Sequence, residues 1–291
     1  MAEKVEIRPL EADDAGPAWQ MAYTSLRLAG RSYGWEMPEL TDDIRERGRR
    51  RVLHCLTHDL DGAFVAERDG AIVGVSLATR RDSLWFLSLL AVDTEIQAQG
   101  VGGQLLDASL RTLGTAGTIC ASDDPKALRR YRRAGFDLLP GFEAKGALDR
   151  SLLPAVRDVV EGSYADDRDM IEEVAWLQRD APHGPDLDFF ADSGRALFVT
   201  NSARGRGYVV CADAGPAVLA ATTAPAAEAL LWTALAETTA DELDVLWLRH
   251  DQQWALDVLL DARLSLRPSG SFCVRGAVGP MSPYIPSGAL G

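Results

Sequence analysis

Five residues from the middle of the chain recur near its end, in order and at a constant offset. Ala127, Ala134, Phe136, Leu138 and Pro140 find counterparts in Ala255, Ala262, Leu264, Leu266 and Pro268. The hairpin around Gly70 and Gly74 resembles one around Gly205 and Gly207, and Asp251 stands before the later helix as Asp124 stands before the earlier, each read as its N-cap. Self-similarity on this scale means that one supersecondary unit was built twice, the second time in weakened form. The length of 291 residues agrees, since a single core takes about 100–200. The element pattern stops and restarts between Leu148 and Pro154, which places the two copies at residues 1–149 and 154–291.

Within the first copy, Val5 and Ile7 alternate as a short strand, and Asp13 and Asp14 cap a helix carrying Trp19, Met21, Tyr23, Leu26 and Leu28. Thr41 and Asp42 open a second helix reaching about His58. Ala63–Glu67 and Ala71–Ala78 read as strands joined by the tight turn Arg68-Asp69-Gly70. Leu84–Val92 is an apolar run of strand length, and Val101, Leu105, Leu106, Leu110 and Leu113 recur at helical spacing after it. Thr118–Ala121 is a buried strand. Asp124 and Pro125 supply the cap and first turn of a helix that Gly135 ends. Phe136–Leu139 and Phe142–Leu148 then read as two closing strands.

Hydrophobic residues make up 47% and charged residues 25%, values that suit a folded protein with a dissolved surface. The formal charge of −13 repels phosphate backbones and anionic lipid, so nucleic acid is an unsuited partner and a cationic acceptor is favoured. MAEKVEIRPL lacks a signal peptide's apolar core, and no apolar run approaches the roughly 20 residues that span a bilayer. A cytoplasmic protein is expected, without a membrane partner. Cys55, Cys120, Cys211 and Cys273 stand singly, without the pairing of a zinc site or a disulfide scaffold.

The chemistry concentrates between Gln97 and Gln104. A strand, a glycine loop and a helix start suit phosphate: the first helical amides have no intrahelical partner, the dipole adds positive charge, and glycine admits the anion to the main chain. A glycine pair before a helix can also serve plain packing, so its surroundings must decide. LLAVDTEIQAQGVGGQLLDASL, followed after one strand by DPKALRRYRRAGFDLL and preceded by the AERDGAIVGVSLAT hairpin, resembles the GNAT superfamily of acyl-CoA-dependent N-acyltransferases. The resemblance covers residues 3–148 well and the second half as a degenerate copy.

That resemblance implies an α/β (α+β) fold of two tandem GNAT-like domains, each with a mixed, mostly antiparallel sheet flanked by helices. It implies one acetyl-CoA per chain, in the N-terminal domain. Gln97, Gly100, Val101, Gly102, Gly103 and Gln104 would meet its pyrophosphate, Leu90, Ala91 and Val92 its pantetheine arm, and Asp124 stands where the family often has Asn. Tyr131 takes the position of the general acid, near the sulfur, and main-chain amides at the splayed strand would hold the oxyanion. Tyr33, Trp35, Glu36 and Ser88 are the acceptor-site candidates, the first three from a loop that lies beside the acceptor in the family. The general base is not readable, since Leu84–Val92 holds no carboxylate. In the second half, Thr223–Ala229 has no glycine and carries Glu228, while Leu259 replaces Tyr131, so this copy is expected to have lost cofactor and catalysis.

The expected activity is acetyl transfer from acetyl-CoA to a primary amine in a ternary complex, and the alternative is a non-catalytic acyl-CoA-binding or sensing module. A small-molecule amine is the favoured acceptor, with a protein lysine left open, and the chain is expected as a monomer or homodimer. No metal is expected: His54 and His58 lack an acidic partner and read as two solvent-facing side chains. Arg45, Arg47, Arg49, Arg50 and Arg51 alternate with acids and read as a solvated, salt-bridged face. The tail MSPYIPSGALG is expected to pack back on the body.

Overall fold

A computed structural model describes residues 5–33 and 36–291. The first half runs β1 (Glu6–Pro9), α1 (Ala15–Arg31), α2 (Asp42–His58), β2 (Ala63–Arg68), β3 (Ala71–Arg81), β4 (Leu84–Val92), α3 (Val101–Ser109), β5 (Ala116–Ala121), α4 (Pro125–Arg133) and β6 (Asp137–Gly146). The second half repeats it element for element as β7 (Val160–Glu161), α5 (Arg168–Arg179), α6 (Pro185–Asp192), β8 (Leu197–Ser202), β9 (Gly205–Ala212), β10 (Gly215–Ala221), α7 (Ala224–Ala236), β11 (Leu243–Arg249), α8 (Gln253–Asp261) and β12 (Ser265–Arg275), before the tail adds β13 (Tyr284–Ile285). Among the described residues, no helix is long and apolar enough to cross a membrane.

Local chemistry places most of these elements. Asp69 and Gly70 both take positive φ, 53° and 77°, as the tight turn between β2 and β3 demands. The Thr41 hydroxyl accepts from the Ile44 amide to start α2, and the Asp124 carboxylate accepts from the Lys126 amide at 2.9 Å to start α4 ahead of Pro125. Asp251 does not do the same for α8. It is drawn instead to Arg249, at 2.9 and 2.5 Å, and α8 begins after Gln252 without a side-chain cap.

The sheets do not divide as the halves do. One sheet runs β1-β2-β3-β4-β5-β12-β6-β11 and the other β13-β10-β9-β8-β7. Its neighbours are antiparallel except β4 and β5. The expected pair of closing strands is a single strand, β6, because the chain passes Pro140 and Gly141 without turning. A register shift between Pro268 and Ser271 on β12 absorbs the irregularity opposite them. The neighbour that β5 needs comes from the second half as β12, while β6 pairs with β12 on one side and β11 on the other. The last strand of each copy is thus exchanged into the other, and one apolar cluster joins Leu10, Val75 and Leu89 to Phe190, Tyr208, Val218 and Leu290.

A buried ionic cluster ties the halves together. Arg81 on β3 donates to Asp186 on α6 at 2.8 and 2.6 Å and to Asp59 at 3.0 and 3.1 Å, and His54 on α2 meets Asp186 at 2.8 Å. His54 therefore faces the second half rather than solvent, while His58 is exposed. Burial pushes the Asp186 carboxyl upward, but hydrogen bonds from His54 and Arg81 outweigh it and hold it below the usual carboxylate range. Asp186→Ala is expected to cost about 3–5 kcal/mol by chemical denaturation, because it leaves Arg81 short of a buried counter-charge. A depressed carboxyl contributes its stability above the unfolded value of ~4, and the wild-type contribution should fade as pH falls through that value and below.

Candidate functional site

β4 and β5 lie parallel and pair only at their starts, Leu84–Phe86 against Ala116–Thr118. Beyond that vertex they diverge, so the later part of β4 keeps β3 on one side and has an open slot on the other. Ser88 is the extra residue of a bulge in β4, since Leu89 faces Leu77 while Leu87 faces Ala78.

After Val92 the chain turns over the buried Ile96, Ala98 takes φ 67° and Gly100 takes φ 87°, which aims the first turn of α3 at the slot. The amides of Gly103 and Gln104 donate to the Gly100 carbonyl at 3.0 and 3.2 Å. Those of Val101 and Gly102 have no acceptor among the described residues. Here a cleft opens. Of the expected cofactor residues, Leu90, Ala91, Val92, Gln97, Gly100, Val101, Gly102 and Asp124 line it together with Tyr131. Gly103 and Gln104 do not line it, and their amides donate within the helix start.

Two cations complete the wall, and the sequence reading passed over both. Lys126 and Arg130 lie one helical turn apart on α4, on the face that also carries Ala127 and Tyr131. Arg130 lies so close over Gly102 that a Cβ there would come within 2.9 Å of its guanidinium carbon. Lys126 Nζ reaches Gln97 Oε1 at 3.0 Å, and Gln97 Nε2 donates back to the Val92 carbonyl at 3.2 Å. The i, i+4 spacing of these cations beside Tyr131 was the available signal. Ser25, Leu26 and Ala29 of α1 also line the cleft, and nothing in their pattern distinguishes them from ordinary helix positions.

Tyr131 is 6% exposed, and burial pushes its phenol well above its ordinary value, with Cys273 of β12 adding to the rise. Its hydroxyl makes no hydrogen bond with another described residue, so the proton faces the cleft uncommitted. The slot thus joins free main-chain amides and two cations at one end to a neutral phenol at the other, an arrangement that can hold a polyphosphate and protonate a leaving group.

The acceptor candidates are not brought together. Tyr33 lies at the mouth of the cleft, where its hydroxyl donates to Asp124 at 3.1 Å. Glu36 is exposed, Trp35 lies outside the described residues, and Ser88 is buried on the α1–α2 face. There the second half takes part. The Ser88 hydroxyl donates to the Ala289 carbonyl at 2.6 Å, Gly291 packs on Phe86, and Gly288 lies on Trp247. Trp247 takes φ 56°, strained for a bulky residue, and its indole N–H donates to the Ala121 carbonyl at 3.4 Å across Gly270.

The matching features of the second half are filled by its own chain. β13 pairs with β10 at Leu219 and Ala220. At the start of α7 the Thr223 hydroxyl accepts from the Ala226 amide and donates to the Arg204 carbonyl. Among the described residues, no group of three or more His, Cys, Asp or Glu is placed to hold a metal ion.

No curated protein matches the chain. Among solved structures it is similar to a putative acetyltransferase from Pyrococcus horikoshii, with a TM-score of 0.77 at 17% identity over 99% of this chain and 96% of that one. It is also similar to a tandem GNAT protein from the clavulanic acid biosynthesis pathway, with a TM-score of 0.60 at 14% identity over 94% and 98%. A GCN5-related N-acetyltransferase from Sphaerobacter thermophilus gives 0.58 at 13% identity over 93% and 95%. At such identities these likenesses concern the fold, which is shared along nearly the whole chain. Residues 59–138 match the model of the acetyltransferase (GNAT) domain, a stretch that runs from β2 through the cleft loop to α4. The family match thus covers the part of the chain that builds the cleft.

Proposed function

We propose that the chain transfers an acetyl group from acetyl-CoA to a primary amine, with one cofactor per chain in the first-half cleft. A GNAT domain supports acyl transfer in general. The observation that carries the finer reading is the convergence on one cleft of the Val101 and Gly102 amides, Lys126, Arg130, the open edge of β4 and Tyr131. The amides and the two cations fit a pyrophosphate, and the edge of Leu90–Val92 fits an amide-bearing arm that completes it as a strand would. In the second half β13 covers the corresponding edge, which supports a single cofactor.

The thioester supplies an activated acyl carbon and a thiolate leaving group. The neutral amine attacks that carbon, the C–N bond forms and the C–S bond breaks. Tyr131 gives its proton to the departing sulfur, and the proton shed by the nitrogen passes to solvent, from which the phenol is reloaded. Because burial keeps its phenol neutral beyond the ordinary value of ~10, the acid stays loaded across the working pH range, and an alkaline fall of kcat below pH ~10 must come from another group.

The test is thiol release from acetyl-CoA with a panel of amines, with calorimetric binding of CoA alongside. Tyr131→Phe is expected to lower kcat by about 10²-fold or more with CoA affinity unchanged. Tight acetyl-CoA binding with no turnover on any amine would instead establish a non-catalytic sensing module.

A further inference from the structure

The cleft does not end at the start of α3. A second hollow adjoins it, and the two share Ala29, Gln97, Asp124 and Lys126 as lining. Two helices agree on the direction in which it lies. Along α1 the lining moves from Ser25 and Leu26 in the cleft to Leu28, Ser32 and Tyr33 in the hollow, toward and past the helix end. Along α4 it retreats from Tyr131 and Arg130 to Lys126 and Asp124, and Asp124 stands about 10 Å before Tyr131 along the helix. Val101 and Gly102 line the cleft and not the hollow. The hollow is therefore the outward continuation of the phosphate end, on the side away from Tyr131.

Acetyl-CoA is a linear molecule, so its parts must follow in order. With the sulfur at Tyr131, the arm along β4 and the pyrophosphate at the first amides of α3, the nucleoside comes next, further out. The lining of the hollow suits one. Leu28 and Tyr33 are 48% and 39% exposed, two large apolar surfaces left open on the same hollow. Asp124 Oδ1 holds the Tyr33 hydroxyl at 3.1 Å and its own Lys126 amide at 2.9 Å, while Oδ2 makes no hydrogen bond among the described residues. A nucleoside brings a flat π face for the phenol ring and N–H and O–H donors for the carboxylate. A further phosphate is disfavoured there. Asp124 repels it, and Lys126, the one cation that lines the hollow, also lines the inner cleft.

We infer that the outer hollow is the subsite for the adenosine of the cofactor, with the adenine against Tyr33 and Leu28, a nucleoside donor on Asp124, and the 3′-phosphate left outside. The inference rests on the cofactor placement proposed above. It moves Tyr33 from the acceptor side, where the sequence reading put it, to the far end of the cofactor.

Titration calorimetry with CoA, dephospho-CoA and 4′-phosphopantetheine tests it. Wild type is expected to bind CoA and dephospho-CoA within about threefold of each other, because the hollow does not read the 3′-phosphate. Tyr33→Ala should weaken both nucleotides by about 5- to 100-fold, the span of one base stacked on an aromatic ring, and leave the affinity for 4′-phosphopantetheine unchanged. Tyr33→Phe keeps the ring and should bind as wild type does. A preference of about tenfold or more for CoA over dephospho-CoA places the 3′-phosphate inside and overturns the inference. So does Tyr33→Ala that leaves CoA affinity unchanged, or that lowers 4′-phosphopantetheine affinity equally. In each of these cases CoA still binds and the cofactor placement stands. A wild-type chain that binds none of the three removes the placement and the inference together.

Discussion

Residues 1–149 expressed alone are expected not to fold as a soluble monomer. Among the described residues β6 pairs as a strand only with β12 and β11, both from the second half, so the fragment leaves β6 without a sheet partner and strips β5 along Gly117–Ala121. It also removes Cys273 from beside Tyr131 and Phe272 from the large shared cluster. A bare pair of edges of this kind recruits another chain. Because the halves repeat each other, the closest substitute is a second copy of the fragment, whose β6 can stand where β12 stands. Light scattering should therefore find aggregate or dimer, and co-expression of residues 154–291 should restore a single species. A monodisperse monomer with a cooperative thermal transition would show that the exchange is dispensable, and that the proposed division at 149–154 separates independent domains.

What could be read from the chain beforehand follows from the range of the interactions involved. The limits of α2 and β4, the Gly70 turn and the Asp124 cap rest on neighbours a few residues away, and periodicity displays them directly. Element order was legible as well, because the repeat writes it twice. Strand exchange was not, since an apolar strand such as β12 carries no mark of which copy it will pair with, and two closing strands in one block fit Phe136–Leu148 equally well. The same limit explains His54 and Arg51. Both sit in polar, helical runs that read as surface, and only the arrival of α6 and β4 from elsewhere turns them inward. In the cleft, the loop glycines and Tyr131 could be found because backbone geometry and motif spacing constrain them. Lys126 and Arg130 were hidden in a run of basic residues whose inward members become visible only once α4 lies against Gly102.

The glycines of the loop are expected to differ sharply from one another when replaced. Gly102→Glu places a carboxylate between the Val101 and Gly102 amides and the Arg130 guanidinium, so the side chain occupies the anion site itself and neutralises Arg130. Two hydrogen bonds to a charged phosphate, at about 1.5–3 kcal/mol each, amount to a loss of CoA affinity on the order of 10³-fold. Gly100→Glu should reach a similar loss by another route: at φ 87° a side chain is strained, and the relaxation that relieves it turns the first amides of α3 away from the slot. Gly103 has no atom within 4 Å of a built Cβ, and its amide is already given to Gly100. Gly103→Ala should therefore leave CoA binding intact and stabilise the helix by roughly 0.5–1 kcal/mol. Titration calorimetry with CoA on the three variants separates the cases, and thermal melts show whether each still folds. If Gly102→Glu folds and binds CoA as wild type does, the cofactor site lies elsewhere, and the covered edge of β10 in the second half would have to open to provide it.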